Sequence, residues 1–469
     1  MPHLRSNDRE GMIRLMRKKW IPSVREGGGP KYIALVEALE AGVASGELQA
    51  GERLPSQREL GNMFGVTIAT VTKAISEAAR RGIIEARVGS GTFIRNGRMH
   101  SAQPETIDLS INTLPAAPVA DILDRAVTGL PPERLSHDLF SYASYAGPLR
   151  HRSLGAAWIA QFGTRVEPDN ILLTNGVHQG LLAAFGTVLA AGETAICEPL
   201  TYTGVRRIAD FRGVRLAGAE SDEHGLIPDS VERELRRTGA KVLVVTTVMQ
   251  NPTTATLSAE RRQALAEICR RNDAWIIEDG VNIPLANDGI ASIASMAPDR
   301  TIHLTGLSKC VASGFRLGYA AVPDRLLGAF HDALVSTQWI APGFYAELAA
   351  AMFTNGMIEQ CLARHRAEAR ARVELTRRML DGVRETRFAS YHAWVSAPAG
   401  WSGEDFCTHA LRAGVRVSPA SHFAISRTGL PAAYRISLGA CPDRGVLEDA
   451  LRRLAGVTGG RTAIHDTVI

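Results

Sequence analysis

The chain has 469 residues, 45% apolar and 22% charged, which excludes wholesale disorder and collagen-like order and allows two to four domains at roughly 100–200 residues each. Its longest apolar run, Leu181–Ala191, is too short to span a bilayer, the Arg- and Lys-rich first twenty residues lack a secretory core, and six widely spaced cysteines suggest neither a disulfide frame nor a zinc site, so a cytoplasmic protein without metal or membrane contact is expected. The formal charge of +5 is uneven: residues 1–100 hold 16 Lys/Arg against 10 Asp/Glu, as in a nucleic-acid-binding head on a nearly neutral body.

Residues 1–29 form a basic N-terminal extension that ends in Gly27-Gly28-Gly29. Tyr32, Leu35, Val36 and Leu39 then recur at helical spacing as far as Ser45-Gly46. Ser56 followed three residues later by Glu59 is a capping box, which predicts a short helix to about Phe64. Gly65-Val66 turns the chain, and Thr67 is a suitable cap for a third helix through Ala79. Val71, Ala74, Ile75 and Ala78 form its buried stripe, leaving Thr70, Thr72, Lys73 and Ser76 to face outward. Two helices across a glycine turn, the second showing hydroxyl and basic side chains, predict a helix-turn-helix. Ile83–Ile94, with Gly89-Ser90-Gly91 at its tip, reads as a two-stranded wing able to lie along a phosphate backbone.

The string GERLPSQRELGNMFGVTIATVTKAISEAARRGIIEARVGSGTFI resembles the winged helix-turn-helix of the GntR family throughout. The resemblance implies double-stranded operator DNA as a partner. Arg58, Thr67 and Thr70 would approach the major groove, while Lys73, Arg87, Ser90 and Gly91 would contact phosphate or the minor groove. Because base contacts carry the sequence information, Arg58 and Thr70 are the expected readers.

The expected head spans 30–95, a polar linker follows at 96–107, and the body at 108–459 precedes a tail at 460–469. In the body, short apolar runs (Thr194–Cys197, Val242–Val248, Trp275–Glu278, Thr301–Leu304, Tyr319–Val322) alternate with amphipathic stretches such as Ser258–Arg271. Such alternation predicts an α/β fold with a mainly parallel sheet covered by helices. Thr174-Asn175-Gly176-Val177, after the run Ile171–Leu173 and before a helical pattern, suits backbone amides that cradle a phosphate at a helix N-terminus. Tyr202 offers a ring for stacking, and Asn251 follows a strand where it can meet a ring hydroxyl.

Glu278-Asp279 puts a carboxylate at the C-terminal end of a strand, the edge where parallel sheets bind ligands, and there it can keep a pyridine nitrogen protonated. Ser308-Lys309 lies just beyond the next strand, with Arg316 seven residues on. A lysine that forms a Schiff base needs a desolvated site that lowers its pKa, and a phosphorylated carbonyl cofactor needs a fixed cation such as Arg316. Arg435, in the short apolar setting Tyr434–Ser437, is a plausible partner for a planar carboxylate.

In this order the series resembles the fold-type I, aspartate-aminotransferase-like enzymes over residues 108–455, which implies pyridoxal 5'-phosphate as cofactor and a body made of a mainly parallel sheet plus a smaller α+β lobe. The resemblance implies Lys309 as the Schiff-base lysine and Asp279 as partner of the pyridinium nitrogen. Asn251 would bind the phenolic oxygen, Tyr202 would stack on the ring, and Arg435 would take a substrate or effector carboxylate. Gly176, Val177, Ser308 and Arg316 would hold the phosphate. Head, linker and body together, with Trp20-Ile21-Pro22 ahead of the first helix, resemble the MocR (GabR-like) regulators, implying a head-to-tail homodimer that senses an amino compound or a B6 vitamer. Two positions depart from the pattern: Val281 and Asn282 stand where a tyrosine is usual, with Asn282 able to donate to the cofactor, and Gly306 stands where a serine or threonine is common. They argue against fast transamination, so an active aminotransferase with a DNA-binding head is the alternative expectation, and a dimerisation scaffold with a decayed site a third.

Overall fold

The computed structural model describes residues 31–94, 106–130 and 146–459, apart from 46, 50, 82, 88–90, 288 and 340–341. The chain divides into two compact units, 1–105 and 106–469.

In the first unit α1 (Lys31–Ala44), α2 (Gln57–Phe64) and α3 (Ile68–Arg80) pack around Leu35, Leu39, Leu60, Val71 and Ala74. The capping box forms as its spacing requires: Ser56 N donates to Glu59 Oε2 at 2.8 Å, and Glu59 N donates to Ser56 Oγ at 3.3 Å. Gly65 takes the left-handed conformation, φ +61°, that ends α2 and turns the chain toward α3. Thr67 then caps α3 by accepting from Thr70 N at 3.3 Å. β1 (Ile84–Arg87) and β2 (Gly91–Ile94) pair antiparallel, with Ile84 and Ile94 completing the core. Ser90 and the side chain of Arg87 lie outside the described residues.

The second unit is built on seven strands: β3 (Ile171–Thr174), β4 (Thr194–Cys197), β5 (Arg215–Gly218), β6 (Val242–Thr246), β7 (Trp275–Asp279), β8 (Thr301–Gly306) and β9 (Gly318–Ala321). Their spatial order is β3-β9-β8-β7-β6-β4-β5. β8, β7, β6, β4 and β5 pair in parallel, and β9 runs antiparallel to both β8 and β3. The expected mainly parallel sheet is therefore present, and the run at Tyr319 is its one reversed strand. β3, β6, β8 and β9 are buried at every position, which is why they read as unbroken apolar runs rather than as alternation. Helices α4 (Val177–Val188), α5 (Thr203–Arg212) and α6 (Ala259–Arg271) lie between the strands along the chain, and Ser258 caps α6 by accepting from Arg261 N.

The long α7 (Met357–Met379) leads to a smaller lobe. There β10 (His392–Ser396), β11 (Ser418–Pro419) and β12 (Ala433–Ser437) form an antiparallel sheet in the order β10-β12-β11. α8 (Gly403–Arg412) and α9 (Arg444–Gly459) pack on it around Val395, Phe406, Tyr434, Ile436 and Leu451. Ile107, expected in the linker, instead pairs with Val415 in a two-residue parallel strand, which is too short to show any periodicity. Among the described residues no helix is long and apolar enough to cross a membrane, and no His/Cys/Asp/Glu group could hold a metal ion.

Candidate functional site

β8 delivers the lysine. Leu307 N and Leu317 O hydrogen-bond across the strand end, and Lys309 follows two residues later with its side chain half-buried. Its Nζ donates to Asn112 O at 2.6 Å. Burial lowers its pKa to about 8, helped by the nearby cation Arg435 and opposed by Asp279. Gly306 is explained by space, because a Cβ there would lie 2.8 Å from Leu317 O. A serine or threonine has no room at that position.

β7 sorts its two carboxylates by strand alternation. Glu278 points to one face, where it accepts from Thr247 Oγ1, Ile293 N and Ala294 N and meets His303 Nδ1 at 3.0 Å. Burial pushes its pKa up, but His303 and these bonds outweigh it and hold the pKa below the usual range. Asp279 points to the other face, where its carboxylate accepts from Val281 N at 3.1 Å. Burial raises its pKa to about 6. Among the described residues this carboxylate forms no ion pair, although Lys309 and His303 act on it from farther away, and a protonated ring nitrogen would supply a direct partner.

The start of α4 forms an anion cradle. Gly176, at φ +79°, is its N-cap, and no side chain caps the helix. Arg316 lies across this turn, donating to Ser308 Oγ at 3.2 Å and to Asn175 O at 3.3 Å. A Cβ on Gly176 would sit 2.5 Å from the Arg316 guanidinium, so only glycine leaves the backbone open beside the cation. Among the described residues both Arg316 bonds go to neutral oxygens and none to a carboxylate. A half-buried guanidinium on neutral oxygens beside open helix amides fits a phosphate.

Lys309, Asp279, Ser308, Arg316, Val177, Tyr202, Asn251 and Asn282 all line one cavity of about 210 Å³, together with Asn112, His178, Thr246, Val281 and Ser313. Tyr202 stands at the start of α5, half-buried, with its ring edge-on to His178 at 6.2 Å. Asn282 Nδ2 donates to Met249 O at 2.9 Å, which fixes the amide beside the cavity and leaves its second N–H for the expected donation to a cofactor oxygen. Arg435 departs from expectation. It lines a neighbouring cavity of about 510 Å³ with Ser110, Glu404, His422 and Phe423, and not the one around Lys309. Its link to the lysine side is Asn251, whose Oδ1 accepts from Nη1 at 2.8 Å. The Phe423 ring lies 4.7 Å from the guanidinium carbon, and burial lowers the Arg435 pKa to about 10.

Several residues escaped sequence reasoning. Asn112 and Ser313 meet the site only through tertiary folding, and nothing in their local pattern marks them. His392 sits buried on β10, bonded to Ser390 Oγ at 2.6 Å and Gln250 O at 3.1 Å, its pKa lowered by burial to about 3. A larger groove of about 570 Å³ at the opposite edge of the sheet, near Asn170 and Thr301, holds none of the expected residues.

On the head, Arg58 is exposed on α2, and Thr67 and Lys73 are exposed on or beside α3, with Thr70 half-buried. The Thr67 and Thr70 hydroxyls bond each other at 2.9 Å, and Lys73 Nζ lies 4.3 Å above the Tyr32 ring. Exposed Gly91, at φ +113°, has the Arg53 guanidinium against it: a Cβ would come within 2.8 Å of Nε. Arg53 is thus a wing cation that the sequence pattern did not single out.

Comparison with known proteins agrees with this division. Residues 31–94 match the bacterial regulatory proteins of the gntR family, and residues 104–454 match aminotransferase class I and II. The chain is 28% identical over 442 residues to YdeF, an HTH-type transcriptional regulator of Bacillus subtilis, covering 92% of this chain and 95% of that one. It is 31% identical over 303 residues to PdxR, the HTH-type pyridoxine biosynthesis transcriptional regulator of Corynebacterium glutamicum, covering 62% and 65%. Among solved structures it resembles LysN, the alpha-aminoadipate aminotransferase of Thermus thermophilus, with a TM-score of 0.65, 24% identity and coverage of 76% and 93%, a likeness of fold. The chain belongs to the aminotransferase class I and II family, in the form that carries a gntR-type head and resembles the MocR regulators.

Proposed function

We propose that this protein is a cytoplasmic, DNA-binding transcription regulator whose body holds pyridoxal 5'-phosphate and senses an amino compound or a B6 vitamer. One observation carries the reading: a half-buried lysine and, without an ion-pair partner among the described residues, a buried carboxylate and a guanidinium surround one cavity at the C-terminal edge of the sheet. When bound, pyridoxal phosphate supplies an aldehyde that reacts with primary amines and a ring that withdraws electrons. Lys309 offers an amine kept partly neutral by burial. Asp279 would accept a hydrogen bond from the protonated ring nitrogen, Arg316, Ser308 and the Gly176–Val177 amides would hold the phosphate, and Tyr202 and Asn251 would position the ring. Arg435 takes the effector's carboxylate. The relative named as a pyridoxine biosynthesis regulator makes the cofactor itself a reasonable signal.

In the head, Arg58, Thr67 and Thr70 approach the major groove, with Lys73, Arg87, Ser90 and Gly91 on phosphate or the minor groove. A head-to-tail homodimer would present two heads to two half-sites. A ligand moves the DNA-binding equilibrium only by its differential affinity for the two states. The reading is tested on purified protein with pyridoxal phosphate. A visible absorbance band should form and be abolished in Lys309→Ala, and a panel of amino acids, amines and vitamers should include a compound that shifts operator affinity. No band in the wild type would overturn it.

A further inference from the structure

The first residues of the second unit run through its site. Ile107 N donates to Gly414 O at 2.9 Å and Leu109 N to Arg416 O at 2.8 Å, and Leu109 O accepts from Ser437 N at 2.8 Å, so this end is fastened to the smaller lobe. At the other end Leu114 N donates to Ser313 Oγ at 2.8 Å, on the lysine loop. Between these anchors the main chain touches both site cations. Ser110 O accepts from Arg435 Nη2, and Asn112 O accepts from Lys309 Nζ at 2.6 Å. The Asn112 side chain also reaches His392, with Nδ2 3.4 Å from Nδ1. Arg435 is 5% exposed, and its buried Nε has no hydrogen-bond partner among the described residues.

These contacts have a competitive logic. A neutral carbonyl on a buried guanidinium is a weaker partner than a carboxylate, which adds charge and can bind bidentately. Any group that takes Lys309 Nζ must likewise displace Asn112 O. We infer that residues 110–112 are an internal ligand, a strap that occupies both site cations in the unliganded protein and is displaced by a ligand presenting one group to Lys309 and a carboxylate to Arg435. The inference rests on the cofactor reading above, takes its ligand class from it, and adds an internal competitor for both cations and a route for the signal. The strap joins the chain leading to the DNA-binding head through the anchor at Ile107 and Leu109, so its displacement acts on that connection by way of the anchor. A ligand that engages one cation frees one carbonyl, and a ligand that engages both frees the strap between its two anchors.

Hydrogen–deuterium exchange of residues 106–114 in the full chain tests this. Arg435→Ala and Lys309→Ala each remove one strap contact and should speed exchange at least fivefold with no ligand present. In the wild type, pyridoxal phosphate alone should speed it partly, and pyridoxal phosphate with L-glutamate should do so fully. Ser110→Pro leaves both cations in place but removes the N–H that donates to Asp108 Oδ1 at 2.8 Å. It should also speed exchange and shift operator affinity at least threefold in the ligand's direction. Unchanged exchange in folded Arg435→Ala, Lys309→Ala and Ser110→Pro overturns the strap whatever the absorbance spectrum shows. Faster exchange in the variants without an absorbance band in the wild type would support the strap and overturn the cofactor reading.

Discussion

Burial moves Lys309 and Asp279 in opposite directions, the amine down to about 8 and the carboxyl up to about 6, because desolvation penalises whichever form is charged. At pH 7 about a tenth of Lys309 is then a free amine, against roughly one part in 2,500 for an exposed lysine of pKa about 10.4. Uptake of pyridoxal phosphate, followed by the rise in visible absorbance, is therefore expected to accelerate about tenfold per pH unit up to about 8 and to level off above it. A rate still climbing at pH 10 would mean a solvent-exposed lysine. The sign for stability follows: between about 8 and 10.4 the unfolded chain holds the Lys309 proton that the folded chain has lost, so the cofactor-free protein gains stability as pH rises across that window. At this scale Lys309, Asp279 and Arg316 were legible because each bears chemistry at a recognisable place relative to a strand. Ser110 and Asn112 were not, since they act through carbonyls that every residue carries.

At the scale of elements, the head is a case where local rules suffice. Ser56, Glu59, Gly65 and Thr67 each do what their spacing implies, and α2 and α3 begin where those residues put them. Replacing Ser56 by Ala leaves the Glu59 amide without its cap and should destabilise the head by about 1 kcal/mol. The expected readout is a lower melting transition for the head in the full chain, with the visible cofactor band unchanged. β7 shows the limit of such rules. Adjacent carboxylates at 278 and 279 look interchangeable in sequence, but pleating sends one to His303 and the other to the cavity. Where a tyrosine is usual, Asn282 uses one N–H on Met249 O to tie the turn after β7 to the chain beyond β6.

For the whole molecule, a gntR-type head and an aminotransferase-type body share one chain, and the body's departures bear on whether it works as an enzyme. With an amino donor and 2-oxoglutarate, product is expected to stop near one equivalent per subunit, because neither Val281 nor Asn282 can act as the usual phenol. Sustained turnover in a coupled assay would instead favour an enzyme with a tethering head. Sequence alone determined the two-unit organisation, the mainly parallel sheet and the order of the site's charged residues. Each of these follows from local periodicity, caps or side-chain type, and short-range physics writes them directly into the chain. Only the tertiary structure decided that Arg435 opens onto a second cavity, that Arg53 lies against the wing and that residues 110–112 cross the site. Those facts depend on contacts between positions as far apart as 110 and 435, which packing and not local pattern brings together.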